Sequence, residues 1–417
     1  MLPGRMLLFP MAALLTALLS TGCDVMDNLT IWDDESLWHD GGHSQPTHPC
    51  QFRPSSLPLP TGPYCIGATD YHFVDSQRPE LFTPEDDTDF REVMVRLFYP
   101  AQAGGGEYGD YMDESSIAAV AAGSDVPNVD DAIRTIAVQF RINAPPAGHR
   151  ASFPLLIFSP GLGCTFQEYT ALIEDMVSHG YVVAAINHPW ISRITVFPDG
   201  HETPVYPFSP SNYEDFLAFI NENFPVVVGD MQLVLDKLIG LNQTNHLLNG
   251  RIDFCSVGAF GHSYGGAASL ALIDVDSRVS GGINMDGAMA YPGMGTEPVD
   301  TPFLIHLAGP HTAASDPSVS SVWQRGINDK WLAYVETAAH GSYLDWPVLY
   351  GGLTDGGSMG EDAQGTIDPV LMLQLVRDSN RGFFDAYLKD RHVNPDTLEA
   401  RYPEAVLYSA ADSLPLN

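Results

Sequence analysis

A serine flanked by glycines lies in the run Gly261-His262-Ser263-Tyr264-Gly265-Gly266. The apolar run 257–260 before it is typical of a strand, and the run 267–273 after it favours a helix. A strand, a tight turn and a helix form the setting in which G-x-S-x-G presents a serine hydroxyl as a nucleophile. Such a turn leaves no room for side chains beside the serine, which explains the glycines. The sequence therefore predicts nucleophilic chemistry at Ser263.

A serine hydroxyl is a weak nucleophile and needs a base to activate it. In α/β-hydrolases the three groups follow the order serine, acid, histidine along the chain. His340 comes just after the last predicted strand, 331–335, where this order requires the base. His306 lies inside a predicted strand and His311 lies in a loop, so we prefer His340 to both.

Two aspartates compete for the role of the acid. Asp286 directly follows the predicted strand 281–285, which comes after the nucleophile helix. Asp316 lies one strand later, in the loop that follows 302–307. We favour Asp286, because the end of a strand holds a side chain more rigidly than a loop does.

The negative charge that develops on the substrate oxygen needs two backbone N–H groups. One is expected from Tyr264, the residue after the nucleophile. The other is expected from the loop after the strand 153–159, in the run Ser159-Pro160-Gly161-Leu162-Gly163. Proline has no N–H, and the glycines let the backbone turn inward, so Leu162 is the predicted second donor.

Strands and helices alternate along the chain, and the strands are continuous apolar runs. This pattern predicts the α/β class, with a mostly parallel central sheet covered by helices on both faces. The predicted buried strands are 153–159, 181–187, 257–260, 281–285, 302–307 and 331–335, and an alternating strand is predicted at 91–100. Helices are predicted at 168–179, 226–241, 267–273 and 368–390. The aromatic- and proline-rich segment 188–224 is predicted to be an insertion over the sheet edge.

The amino terminus resembles a bacterial lipoprotein signal. Residues 6–20 are apolar, and small residues lead into Cys23. We expect 1–22 to be removed and Cys23 to carry the lipid that anchors an exported protein to a membrane; the alternative is an ordinary secretory signal and a secreted protein. Residues 23–61 are predicted to be a flexible linker and 62–417 the catalytic domain.

The other four cysteines and the net charge limit which disulfides, ligands and macromolecular partners the sequence predicts. Cys50 and Cys65 flank a proline-rich loop, and export permits a disulfide between them. Cys164 and Cys255 are expected to be buried thiols, and neither has the spacing of a metal site. Neither a metal nor a cofactor is predicted. The 52 acidic and 19 basic residues give a net charge of −33, which argues against nucleic acid as a partner. The sequence predicts no oligomeric state.

Several runs together resemble the platelet-activating-factor acetylhydrolases of the plasma, or type II, family. They are Phe158-Ser159-Pro160-Gly161-Leu162-Gly163, Ser178-His179-Gly180-Tyr181-Val182-Val183-Ala184-Ala185, Val234-Leu235-Asp236-Lys237-Leu238, Gly261-His262-Ser263-Tyr264-Gly265-Gly266, Met285-Asp286-Gly287 and His340-Gly341-Ser342-Tyr343-Leu344-Asp345. The resemblance covers 62–390. It implies an α/β-hydrolase serine esterase that cleaves short or oxidised acyl chains from phospholipids without calcium. It also supports Asp286 as the acid and implies Leu162 and Tyr264 as the oxyanion donors.

The chain departs from this family at Pro160, where the family often has histidine, and in 188–224. The resemblance therefore does not fix the natural ester. A general carboxylesterase or polyester hydrolase with the same machinery is the alternative enzyme. A non-catalytic surface lipoprotein that binds a ligand is a further alternative, but such a protein usually loses one of the three reactive residues, and all three are present here.

Overall fold

The apolar runs of the sequence become the strands of one ten-stranded sheet. The computed structural model describes residues 50–148, 152–207, 211–245, 247–289, 295–353, 359–410 and 412. The predicted signal peptide, the lipid-anchor residue Cys23 and residues 24–49 of the predicted linker lie outside this part of the chain.

The strands are, in chain order, β1 (Cys65–Pro79), β2 (Phe90–Ala101), β3 (Phe140–Ile142), β4 (Phe153–Ser159), β5 (Val182–Asn187), β6 (Ile194–Val196), β7 (Glu202–Pro204), β8 (Ile252–His262), β9 (Gly281–Met285), β10 (Phe303–Ala308), β11 (Lys330–Val335) and β12 (Val406–Tyr408). The sheet has the order β12-β11-β10-β9-β8-β4-β5-β2-β1-β3, while β6 and β7 form a separate antiparallel pair. Pairing is parallel from β11 across to β5 and antiparallel where β12, β2 and β1 join. The carboxyl ends of the parallel strands therefore meet at one edge.

The helices are α1 (Glu114–Ala122), α2 (Val129–Arg134), α3 (Thr170–Ser178), α4 (Tyr213–Thr244), α5 (Tyr264–Val275), α6 (Pro317–Arg325), α7 (Trp346–Leu353), α8 (Glu361–Gln364), α9 (Pro369–Leu388) and α10 (Pro395–Arg401). Short 3₁₀ turns cover Phe166–Tyr169 and His340–Tyr343. Within the described ranges, no helix combines the length and apolarity needed to cross a membrane.

Helices cover both faces of the sheet, and β4 shows why. All seven of its residues are buried, so its side chains pack alternately to either face. Leu155 and Ile157 belong to the apolar cluster that includes α4 and α5. Leu156 and Phe158 belong to the opposite cluster, which includes α3 and α9. The predicted mostly parallel sheet with helices on both faces is confirmed.

The predicted insertion at 188–224 is too long. It contains the β6–β7 pair, but α4 already begins at Tyr213, where the Asn212 side chain caps its amino end. The helix continues through Pro225, although a proline inside a helix removes one N–H bond and usually marks a boundary. Packing of the apolar face of α4 on the sheet outweighs this local signal.

The predicted linker also extends too far, because residues 50–61 are packed against the domain. Leu57 is buried, the Arg53 side chain donates to the Val138 carbonyl at 2.8 Å, and the Thr61 N–H donates to Asp175 Oδ1 at 2.7 Å. The proline-rich composition of this arm indicates irregular backbone, and irregular backbone can still find acceptors on the domain surface.

The cysteines are in three different states. Cys50 and Cys65, the pair expected from the sequence, are joined by a disulfide. Cys164 is a free, half-buried thiol. Cys255 is exposed, so the prediction of a buried thiol there is wrong. The reason is its position in the first half of β8, before the buried run that begins at Val257.

Candidate active site

Ser263 lies between β8 and α5, at a turn that its glycine neighbours make possible. Its φ of 55° and ψ of −121° lie in a region that residues with a Cβ rarely adopt. The Ser263 N–H donates to the Met285 carbonyl at 2.8 Å, which holds the turn. A Cβ on Gly261 or Gly265 would collide with the Ser159 carbonyl, so β8, α5 and the end of β4 approach each other this closely only through glycine.

A second turn with positive φ follows β9 and presents Asp286. The φ of Asp286 is 57°, and its N–H donates to the His306 carbonyl at 3.0 Å. The Asn284 side chain bonds both the N–H and the carbonyl of Gly287, each at 2.8 Å. Gly287 in turn lies against the Ser263 carbonyl with no room for a Cβ. The two turns therefore pack on each other and position both functional side chains together.

The structure brings Ser263, His340 and Asp286 into one hydrogen-bonded chain. His340 Nε2 lies 2.9 Å from Ser263 Oγ, and His340 Nδ1 lies 2.6 Å from Asp286 Oδ2. A carboxylate can only accept, so Nδ1 carries the proton and Nε2 is left to accept from the serine hydroxyl. Asp286 is buried, whereas 54% of the His340 side chain is exposed. The hydrogen-bonded set is therefore closed to solvent at Asp286 and open toward Ser263.

Asp286 stays ionised because of its partners. Burial opposes its ionisation, but hydrogen bonds from His311 and His340 outweigh burial and hold the pKa of Asp286 well below its usual range. Its Oδ1 also accepts from the Ala308 N–H at 2.8 Å. A carboxylate held in this way can orient one imidazole and balance its charge.

The other candidates for the base and the acid are His306, His311 and Asp316, and they lie elsewhere around the three hydrogen-bonded residues. His306 is buried in β10, and burial lowers the pKa of His306 to about 4. His311 Nδ1 lies 3.1 Å from Asp286 Oδ1, on the other carboxylate oxygen from the one that faces His340. Asp316 bonds to His311 Nε2 at 3.0 Å instead of to His340. Of the two candidate acids, only Asp286 contacts His340.

The two predicted oxyanion residues lie beside Ser263. Gly161 approaches Ser263 closely, since a Cβ on Gly161 would be 3.3 Å from the serine Cβ. The N–H groups that flank Leu162 all donate within the described residues, at 2.9–3.2 Å, namely those of Gly161, Gly163 and Cys164. No described residue accepts from the Leu162 N–H. Tyr264 is the first residue of α5, where the first N–H groups have no acceptor in the helix and the helix dipole is positive.

His262 connects His340 to the loop that contains Gly161 and Leu162, a contact that sequence reasoning missed. Its Nε2 lies 2.9 Å from the His340 carbonyl, and its Nδ1 lies 2.9 Å from the Tyr169 hydroxyl. The same hydroxyl accepts from the Gly161 N–H. Burial, followed by the nearby His340, lowers the pKa of His262 to about 3, so this ring is neutral. Its position next to Ser263 was the only sequence signal.

A second Ser-His-Asp set, also missed, lies entirely in the interior. Ser159 Oγ lies 3.0 Å from His188 Nε2, and His188 Nδ1 lies 2.9 Å from Asp230 Oδ2. Asp230 also pairs with the buried Arg91 at 2.6 Å. All of these side chains are buried, which leaves no access for a substrate. The set holds Ser159 at the end of β4, where the loop that contains Leu162 begins, and burial distinguishes it from the set at Ser263.

A comparison with known families decides where this chain belongs. The chain matches the sequence profile described as "Platelet-activating factor acetylhydrolase, isoform II" over residues 51–198 and 228–401. This chain belongs to that family. The unmatched stretch between the two ranges overlaps 188–224, where the sequence departs from the family.

Two relatives in this family are similar over most of the chain. The platelet-activating factor acetylhydrolase of Cavia porcellus is 24% identical over 369 residues, which cover 81% of this chain and 79% of that protein. A probable 1-alkyl-2-acetylglycerophosphocholine esterase of Arthroderma benhamiae is 26% identical over 364 residues, covering 81% of this chain and 88% of that protein. The predicted resemblance to this family is confirmed.

A solved structure gives an independent comparison. The ferulic acid esterase from Streptomyces cinnamoneus superposes with a TM-score of 0.71 and 25% identity, over 84% of this chain and 98% of that one. The predicted α/β-hydrolase fold is thereby confirmed. With the family match, this likeness also confirms the prediction of a serine ester hydrolase that resembles this family.

Gly265→Ala tests the close approach on which the site depends. The new Cβ would lie 2.5 Å from the Pro160 carbonyl oxygen and closer still to that of Ser159. We expect a loss of about 1–3 kcal/mol in the free energy of unfolding, the usual cost of overpacking, and loss of ester turnover. Urea unfolding and a turnover assay measure the two effects.

Gly240→Ala in the exposed part of α4 is the matched control, because a Cβ there meets no atom within 4 Å. It should raise stability by about 0.5–1 kcal/mol, since alanine favours a helix over glycine. Wild-type stability and turnover in Gly265→Ala would contradict the packing described here.

Proposed function

We propose that Ser263 is the nucleophile of this ester hydrolase, with His340 as its base and Asp286 as the residue that orients the base. The observation that supports this proposal is the continuous chain of hydrogen bonds at 2.9 and 2.6 Å, which ends on a serine in a strained turn. The alternative of a non-catalytic binding module gives no reason to preserve this geometry.

In this proposal the reaction begins when Ser263 Oγ attacks the carbonyl carbon and its proton moves to His340 Nε2. The imidazolium is stabilised by Asp286, to which it donates through Nδ1–H. His340 then gives the proton to the alcohol oxygen, the carbon–oxygen bond breaks and the acyl group stays on Ser263. Water then attacks the acyl carbon while His340 takes its proton, the bond between that carbon and Ser263 Oγ breaks, and His340 returns the proton to Oγ as the acid leaves.

Charge on the substrate oxygen would be stabilised by the N–H groups of Leu162 and Tyr264. Support comes from the N–H of Leu162, for which the described residues offer no acceptor, and from the position of Tyr264 at the amino end of α5. Donors that are already oriented need not reorganise as the charge develops, and this makes them effective in the transition state.

The substrates we propose are phospholipids with a short or oxidised acyl chain. This proposal is supported by the names of the two relatives, one an acetylhydrolase and the other an esterase of an acetylated glycerophosphocholine. The net charge of −33 disfavours anionic lipids as substrates. A general carboxylester or polyester hydrolase remains the second candidate, which the similarity to a ferulic acid esterase favours.

Ser263→Ala should lower turnover on the order of 10⁴–10⁶-fold and abolish labelling by a fluorophosphonate, because the attacking oxygen is gone. Ser159→Ala is the matched comparison: it removes the hydroxyl of the buried set and should keep the labelling. Labelling that persists in Ser263→Ala, or that disappears only in Ser159→Ala, would overturn the assignment.

Asp286→Asn should lower kcat by about 10²–10⁴-fold, since the amide cannot hold the imidazole in its working tautomer. Asp316→Asn at neutral pH should lower it far less, because Asp316 does not contact His340. The reverse ranking would place the acid one strand later.

The acyl preference can be measured with 2-acetyl and 2-palmitoyl phosphatidylcholine, each in the presence of EDTA. We expect the acetyl lipid to be hydrolysed faster and EDTA to have no effect. A preference for the palmitoyl lipid, or loss of activity on chelation, contradicts the proposed substrate class. Activity confined to soluble esters or polyesters supports the second candidate.

We also propose that the protein is exported and, more specifically, that a lipid on Cys23 anchors it to a membrane. The apolar segment before Cys23 supports this. Cys23→Ala should convert a detergent-extracted protein into a soluble or unprocessed one, because acylation with more than one chain gives stable anchoring. A Cys23 peptide recovered by mass spectrometry without lipid, or in disulfide linkage to Cys255, contradicts the anchor and leaves a secreted enzyme.

A further inference from the structure

His311 lies on the far side of Asp286 from His340, between two carboxylates. Its Nδ1 lies 3.1 Å from Asp286 Oδ1, and its Nε2 lies 3.0 Å from Asp316 Oδ2. Only 16% of the His311 side chain is exposed. His311 and Asp316 were considered above as alternatives to His340 and Asp286. They form one hydrogen-bonded cluster with Asp286, the carboxylate that contacts His340.

The charge of His311 follows from its two partners. Carboxylate oxygens only accept hydrogen bonds, so His311 can bond both Asp286 and Asp316 only if both ring nitrogens carry a proton. Burial disfavours this imidazolium, but Asp286 and Asp316 outweigh burial and raise the pKa of His311 to about 9. His311 is therefore a cation at neutral pH.

The other titratable groups that interact with Asp286 among the described residues are uncharged at neutral pH. Burial lowers the pKa of His262 to about 3 and that of His306 to about 4, and it raises the pKa of Tyr343 well above its ordinary value. The charges that act on Asp286 are therefore those of His311 and, during the reaction, His340.

We propose that His311 is a positioning residue which, as an imidazolium held by Asp316, fixes the Asp286 carboxylate toward His340 and sets the charge against which His340 takes up a proton. This inference rests on the proposed function of Ser263. It extends the hydrogen-bonded chain to five residues in the order Asp316, His311, Asp286, His340 and Ser263.

The sign of the effect follows from electrostatics. The positive charge of His311 disfavours a second positive charge on His340, which shares the Asp286 carboxylate with it. A site without the His311 cation should therefore lose activity on the acid side of its pH profile at a higher pH than the wild type does. The negative charge of Asp316 has the opposite effect on the pH profile. Its effect is weaker, because His311 lies between Asp316 and Asp286.

The test is the pH profile of kcat/KM with 4-nitrophenyl acetate, read at the isosbestic wavelength of the product. His311→Gln removes the cation, so the acid limb should move to higher pH by about one unit. Loss of a hydrogen bond to a charged group should lower kcat about tenfold. His201→Gln is the matched control, since His201 also bridges two carboxylates, Asp199 and Glu92, at 2.6 and 2.8 Å. It should keep the wild-type profile.

Two further variants separate charge from geometry. Asp316→Asn removes a negative charge and keeps a side-chain oxygen for the cap of α6, so the acid limb should move to lower pH. In the double variant His311→Gln/Asp316→Asn the two charge changes cancel. Its limb should return toward that of the wild type while kcat stays low, because Asp286 has lost its restraint.

The inference is overturned if His311→Gln and Asp316→Asn both keep the wild-type limb, or if both move it in the same direction. If His311→Gln does not fold, the direction of the shift in Asp316→Asn decides. Ser263→Ala is measured in parallel. If it remains active, the proposed function fails; if it is inactive while the limb does not move, only the role of His311 fails.

Discussion

The site depends on two turns with positive φ that pack against each other at the carboxyl edge of the sheet. The turns at Ser263 and Asp286 are joined by a backbone bond between the Ser263 N–H and the Met285 carbonyl, and Gly287 fills the remaining space. Positive φ at residues with a Cβ costs about 1–3 kcal/mol each and persists only where the surroundings determine it. Here neighbouring parallel strands supply those surroundings, so neither turn can relax without displacing the other.

Burial and partners, more than residue type, assign a role to each histidine around these turns. His262 is buried, has no carboxylate partner among the described residues and is neutral, and it joins the His340 carbonyl to the Tyr169 hydroxyl. His311 is partly buried between two carboxylates and carries a charge. His340 contacts Asp286 through Nδ1 and Ser263 through Nε2, and more than half of its side chain is exposed, which fits the general-base role proposed for it.

The two Ser-His-Asp sets show that hydrogen-bond geometry alone does not define a reactive serine. Ser159, His188 and Asp230 are hydrogen-bonded in the same succession of serine, histidine and aspartate as the set at Ser263. The distances are 3.0 and 2.9 Å in the buried set and 2.9 and 2.6 Å in the set at Ser263. Of the two sets, only the one at Ser263 includes an exposed side chain, that of His340, and Ser263 directly precedes the amino end of α5. The buried set instead holds Ser159 at the end of β4, where the loop with the proposed donor Leu162 starts, so it contributes to the positions of other groups.

The sequence alone determined the apolar strand runs, the elbow around Ser263 and the order serine, acid, histidine, because these depend on local pattern and on the handedness of chain connections. It could not determine which side chains meet across strands far apart in the chain. The extent of α4 through Pro225, the exposure of Cys255 and the joining of His311 to Asp286 were all decided by tertiary packing. The physical reason is that these contacts are set by the register and spacing of the sheet edge, which no local run of residues encodes.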